Sequence, residues 1–349
     1  MNSKTALLAA ALALSLPSAS DGASQAPLPQ QLHDTGLYAR SAPQQVAPGV
    51  LGYTPQYPLW SDGASKRRWI ALPRGRAIDA TRPERWEFPR GTRLWKEFAV
   101  DGRAVETRLI ERLGDGSWRY ATYIWDEAGA EARLAPEAGT TLTLPSGKPY
   151  RILSEADCRA CHDGAPVPVL GFNTLQLSAD RDPLAPHAEP LRDGDVDLRV
   201  LASRGLLRGL PKAMLDTPPR IAAASPAERA VLGYLNANCG HCHASPEATG
   251  AAVPVELQLA LDPADIAAGE KMLGALVGGS TRYRPAGVAS TRLLVPGDPA
   301  ASVLLLRMRS RDPRMQMPPL GTEVPDKDAL ALIERWVEHD LPNRKETPR

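Results

Sequence analysis

The chain reads as an α+β multidomain protein: an antiparallel, sandwich-like β domain is followed by a loop-rich segment and then by an all-α domain. Three observations predict this. The 349 residues are too many for one small core and enough for two or three. From Tyr53 to about Leu153, short runs of aromatic and β-branched residues are broken by turn dipeptides. Beyond Ser225 the apolar residues recur instead at three- and four-residue steps, the period of a helix face. The expected boundaries are 1–23 for an export leader, 24–52 for a linker, 53–153 for the β-rich domain, 154–220 for the loop-rich segment and 221–345 for the helical domain.

The leader is read from Lys4 in a short polar start, an apolar run from Ala6 to Leu16, then Pro17 and small residues to Ser20 or Ala23. That run is too short to span a bilayer and no later stretch is apolar enough, so the expectation is a periplasmic protein without a membrane span. Residues 26 to about 50 are rich in Pro, Gln and Ala without periodicity, which predicts a surface arm with little fixed structure. With 41 Lys+Arg against 40 Asp+Glu, no overall field draws in nucleic acid or an anionic surface. Partners must therefore be chosen by local patches.

In the β-rich region strands are expected over 69–72, 93–100, 106–111 and 118–125, with Asp101-Gly102 and Asp115-Gly116 as hairpin turns between successive runs. Alternation within 106–111 leaves neither face cleanly apolar. Six of the seven tryptophans fall here, at positions 60, 69, 86, 95, 118 and 125; packing in a core accounts for them, and a carbohydrate- or cofactor-contacting face is the lesser reading.

After Cys161 the chain passes through Pro166, Pro168, Pro183, Pro186 and Pro190 before a short helix expected over 196–207. Ser225-Pro226-Ala227-Glu228 spells a capping box with proline at the first helical position, opening a helix to about Asn238. A second helix is expected from Ser302 to Arg309. A third begins at Pro325-Asp326, with Leu330, Ile333, Trp336 and Val337 on one face.

Chemistry is carried by the four cysteines. Cys158-Arg159-Ala160-Cys161-His162 and Cys239-Gly240-His241-Cys242-His243 both spell C-x-x-C-H, and together they consume every cysteine. Two thiols three positions apart can each add to one vinyl group of a porphyrin edge, and the adjacent histidine then lies under the iron as its proximal ligand. The expectation is two covalently attached haems c. Zinc would set its C-x-x-C pairs roughly 15–20 residues apart, far closer than these. A thioredoxin-like pair would follow a strand in a βαβ unit, and local disulfides would leave both histidines unexplained.

For the sixth ligand of the second haem, Met317 stands out, because Pro318-Pro319-Leu320-Gly321 restrict the loop that would present its thioether. Met315 and a packing role for Met317 are the alternatives, while Met308 is expected in a helix core. For the first haem Met214, set between Leu210-Pro211 and Pro218-Pro219, is the leading candidate; His187 and a vacant or water-bound position remain open. His241 is expected to be solvated or near a propionate, and His33 and His339 to play no part. A helix bearing C-x-x-C-H, a middle helix, a methionine loop and a C-terminal helix make the order of a class I cytochrome c.

Taken together, these residues resemble a family of exported bacterial dihaem c-type cytochromes. The likeness rests on Tyr57-Pro58-Leu59-Trp60-Ser61-Asp62-Gly63-Ala64, on Phe88-Pro89-Arg90-Gly91-Thr92 with Lys96 and Phe98, and on the first motif followed by Leu170-Gly171-Phe172. It continues through Asn238-Cys239 and Pro296-Gly297-Asp298-Pro299 to Met317-Pro318-Pro319-Leu320-Gly321. The resemblance implies two haems and an N-terminal β-rich domain, with Met317 at the usual distal position of the second haem; it supplies no substrate. Two functions fit. In one the protein is an electron carrier between a dehydrogenase or quinone-linked donor and a cytochrome or oxidase acceptor. In the other it is a peroxidase-like dihaem enzyme with an open position at the first haem.

Overall fold

The structure, a computed structural model, describes residues 26–244, 255–259, 268–281, 283 and 291–344. The expected leader lies outside the described residues. The strands are β1 (Tyr38–Ala39), β2 (Ala42–Val46), β3 (Val50–Gly52), β4 (Ser65–Ala71), β5 (Ile78–Asp79), β6 (Arg93–Val100), β7 (Arg103–Arg112), β8 (Trp118–Trp125), β9 (Ala132–Leu134), β10 (Thr140–Thr143), β11 (Pro149–Ile152) and β12 (Leu207–Arg208). The α-helices are α1 (Glu155–His162), α2 (Leu198–Ser203), α3 (Lys212–Asp216), α4 (Pro226–Asn238), α5 (Ala268–Gly278), α6 (Val303–Arg309) and α7 (Lys327–Arg335).

One antiparallel six-stranded sheet, in the order β3-β4-β6-β7-β8-β9, replaces the two facing sheets of the expected sandwich. Its register explains the mixed alternation. Trp69, Trp95, Leu109 and Ala121 stand opposite one another on one face, and Ile70, Leu94, Ile110 and Tyr120 on the other. Both faces are therefore covered. The first is closed by Leu32 and Leu37 of the N-terminal arm, the second by Phe88, Phe172, Leu177 and Leu201.

The arm expected to lack fixed structure is thus ordered. It supplies β1, β2 and the edge strand β3, and the Gln30 carbonyl accepts from Leu134 N on β9. Its apolar residues are too few to show a period, yet Leu32 and Leu37 are fully buried. The loop-rich segment is tied to the same sheet region, since β12 pairs in parallel with β5. Between β6 and β7, Asp101 and Gly102 both take positive φ, 50° and 78°, as the tightest hairpin turns require.

The helical half keeps the expected order. The Ser225 side chain caps α4 by accepting from Glu228 N at 3.1 Å, but the Glu228 carboxylate goes to Ala224 N and to Arg344 rather than closing the capping box. Helices α4, α6 and α7 share a core that includes Leu232, Leu235, Leu305, Ile333 and Trp336. Helix α5, with Met272 and Leu276 buried, was not foreseen.

Candidate haem-binding site

The first motif rides on α1. Ser154 accepts from Asp157 N at 3.1 Å and its own N–H donates to the Asp157 carboxylate at 3.0 Å, a full capping box that fixes where the helix starts. The segment expected to be loop-rich over 154–220 thus opens with a helix: its signal, Ser154-Glu155-Ala156-Asp157, uses Asp where Glu is the commoner partner. Tyr120 of β8 holds the other end, its ring 5.2 Å from that of His162 and its hydroxyl donating to Asp163 at 2.6 Å.

The second motif follows α4 directly. Asn238, just before Cys239, donates to Tyr234 O at 3.1 Å and accepts from Trp60 N at 2.8 Å, so the end of the helix is locked to a loop of the β half. The same loop reaches the methionine segment. The Asp62 carboxylate accepts from Glu323 N and Val324 N, and Trp60 Nε1 donates to Val324 O at 2.9 Å. On the other side Arg307 O accepts from Met317 N at 3.1 Å, and Arg307 Nε donates to Met315 O at 2.8 Å.

Cys161 and His162 of the first motif, Cys239, Cys242 and His243 of the second, and Met317 line one cavity of about 1140 Å³, while Cys158 is half-buried and not in its wall. The apolar walls include Leu153, Leu170, Val255, Leu257 and Leu293. That volume exceeds the roughly 300–1,000 Å³ of ordinary small-molecule pockets. Met214 is buried in α3 and is not in the wall of this cavity or of the smaller one beside it. His187 is engaged elsewhere, with Nε2 at 2.8 Å from the Asp326 carboxylate and its ring against Trp60. Met308 packs in the helical core and also touches the cavity, whereas Met315 does not line it.

The donor set suits a haem. His162 Nδ1 lies 2.5 Å from the Pro168 carbonyl, and donating to it places the lone pair on Nε2, the arrangement of a metal-ligating imidazole. Burial, Lys96, His241 and Arg108 together push His162 down to about 4, against the Pro168 hydrogen bond, so the ring is neutral at pH 7. His243 is also lowered, chiefly by burial and against a backbone hydrogen bond with Val255. Burial raises Cys158 to about 11 and Cys239 to about 12, keeping these thiols protonated. Cys161 and Cys242 share a hydrogen bond that raises the first and lowers the second.

Residues 280–321 match the family model described as Planctomycete cytochrome C. The match supports a cytochrome c-type family, and with it haem c and iron binding. It spans Arg307 and the Met317-Pro318-Pro319-Leu320-Gly321 loop, and stops short of both C-x-x-C-H motifs. No curated protein and no solved structure matches the chain.

Sequence reasoning missed several residues of the site. Lys96 and Arg108 project from the sheet into the cavity wall, and Trp60 and Arg307 complete it. Lys96 and Trp60 belonged to the segments that carried the family resemblance; Arg108 and Arg307 left no signal, being ordinary positions in a strand and a helix.

Proposed function

We propose that this protein is a periplasmic dihaem c-type cytochrome that carries electrons, with haems attached at Cys158/Cys161 and Cys239/Cys242. The reading is supported by both C-x-x-C-H motifs reaching one cavity that has His243 and Met317 in its wall. A haem bound here supplies a one-electron Fe(III)/Fe(II) couple. Cys158, Cys161, Cys239 and Cys242 would hold the haems as thioethers, each thiol adding its sulfur and hydrogen across a vinyl double bond with no net oxidation or reduction. His162 and His243 would hold the irons as proximal ligands, and Met317 would be the distal ligand of the second haem. Arg307 and Asp62 brace the methionine loop from either side, which keeps the thioether in place through oxidation and reduction. The apolar walls exclude water and favour the less charged, reduced state. Donor and acceptor are other redox proteins, a dehydrogenase or quinone-linked complex on one side and a cytochrome or oxidase on the other.

A second reading attaches to the first haem. No methionine besides Met308 and Met317 lines the cavity among the described residues, while Lys96 and Arg108 bring polar donors into the wall near His162. Peroxidase-like chemistry at an open first iron would use such donors. The deciding experiment is to mature the protein with haem and record its intact mass, its optical spectrum and its carbon monoxide binding. The electron-carrier reading expects a mass gain of two haems and low-spin spectra without carbon monoxide binding. A colourless product would overturn both readings, and carbon monoxide binding at one haem of the reduced protein would favour the second.

A further inference from the structure

We propose that Cys161 and Cys242 hold the two haems periphery to periphery, making one electronically coupled pair rather than two independent centres. The proposal rests on the dihaem reading and concerns how the motifs are placed. The sulfurs of Cys161 and Cys242 and a ring nitrogen of His241 all lie within 4.8 Å of one another. These are the second cysteine of each motif. Every thioether sulfur is one bond from a porphyrin substituent, so two macrocycles carried on these sulfurs meet at that corner, beside His241.

Three further features fit this arrangement. Residues of the two motifs open into the same cavity. The cavity outsizes a single ligand pocket, as a pair requires. The elements that carry the motifs are also fixed to one another: α1 is held to the sheet through Tyr120, and the end of α4 is held through Asn238 to Trp60 in the loop just before β4 of that same sheet. The corner is thus set by rigid elements on both sides, and His241, occupying a variable position of its motif, sits where it touches both halves of the pair.

The test is circular dichroism in the Soret region on the full chain matured with haem, alongside its intact mass. Two like chromophores in contact split their shared transition, so the expected result is a bisignate couplet for the ferric protein. The couplet is expected to be lost in Cys158→Ala/Cys161→Ala and in Cys239→Ala/Cys242→Ala, each carrying one haem. Should these variants fail to fold, stepwise reduction of the unaltered protein serves instead: once one iron is reduced the two bands no longer coincide, and the couplet must weaken before reduction is complete. Two haems by mass with a spectrum free of any couplet would overturn this proposal and leave the dihaem reading intact. One haem or none by mass would overturn the dihaem reading itself, and this proposal with it.

Discussion

Gly233, in the middle of α4, is where the β half presses closest on the helix that delivers the second motif. A Cβ built there would fall inside the surface of the Tyr57 ring, with Cδ1 at 2.5 Å and two further ring atoms nearer still. Ordinary carbon contacts are about 3.5–4.0 Å, so the ring would have to retreat by at least roughly 1 Å. It has little freedom to do so, because its hydroxyl donates to the Asp182 carboxylate at 2.9 Å and the residue is 2% exposed. Overpacking costs about 1–3 kcal/mol, and breaking the hydrogen bond a further ~1–3 kcal/mol. Replacing a helical glycine by alanine returns about 0.8–1 kcal/mol. Gly233→Ala is therefore expected to lose roughly 1–5 kcal/mol in urea unfolding, despite being favourable for the helix. In a Tyr57→Ala background the added methyl enters vacated space, and the same change is expected to be neutral or to stabilise by up to about 1 kcal/mol. An equal loss in both backgrounds would refute the argument that the ring, rather than the helix backbone, demands glycine.

Other outcomes follow from buried charge and from the proposed ligands. Burial, with Arg68 nearby, lowers Lys66 to about 8 from 10.5. A lysine depressed in the fold is penalised by protonation, so the penalty is complete below pH 8 and is relieved as pH rises towards 10.5. At 1.36 kcal/mol per pH unit it amounts to roughly 3 kcal/mol. The gap in unfolding free energy favouring Lys66→Met over wild type is expected to narrow across that window, and a constant gap would contradict it. Arg344→Ala strips the partner from Glu228, whose side chain is 2% exposed, and is expected to cost about 3–5 kcal/mol in thermal unfolding. Pairing it with Glu228→Gln should recover part of the loss. Met317→Ala is expected to raise the carbon monoxide bound by the reduced protein by one equivalent per chain, measured by optical titration, while leaving two haems by mass.

The parts legible in the sequence were those whose signal is local. The hairpin at Asp101-Gly102, the Ser225 cap, and the 330/333/336/337 face of α7 and the helical turn that continues it each rest on residues close in the chain, and each element is where it was expected. Strand alternation misled at the level of architecture. A sheet apolar on both faces obscures period two, and here that pattern reflects covering by the arm and by residues 169–207 rather than a second sheet. At the site, the motif residues and Met317 could be named, but not their convergence on one cavity. That convergence depends on Asn238, Trp60 and Asp62, polar links across long stretches of chain that leave no periodic trace. Met214 illustrates the converse: flanking prolines suggested a presenting loop, whereas the residue is part of a short helix and packs inward.

The sheet face turned towards the first motif breaks the usual pairing rule. Arg68, Lys96 and Arg108 stand directly opposite one another on three neighbouring strands, an arrangement of like charges that a sheet ordinarily avoids. Two are compensated, Arg108 by Glu106 at 2.6 Å and Arg68 by Glu189 at 3.5 Å. Lys96, between them, has the Phe98 ring at 4.9 Å but makes no ion pair or hydrogen bond with any described residue. Burial and its cationic neighbours lower it well below the ordinary lysine range. Sequences tend to break local rules of this kind where function requires it. This break lies on the same even-numbered face as Tyr120, and Lys96 opens into the cavity that receives both motifs. The stability forgone in the β half is thus spent at the wall of the haem site, which makes the sheet part of that site and not merely a domain attached to it.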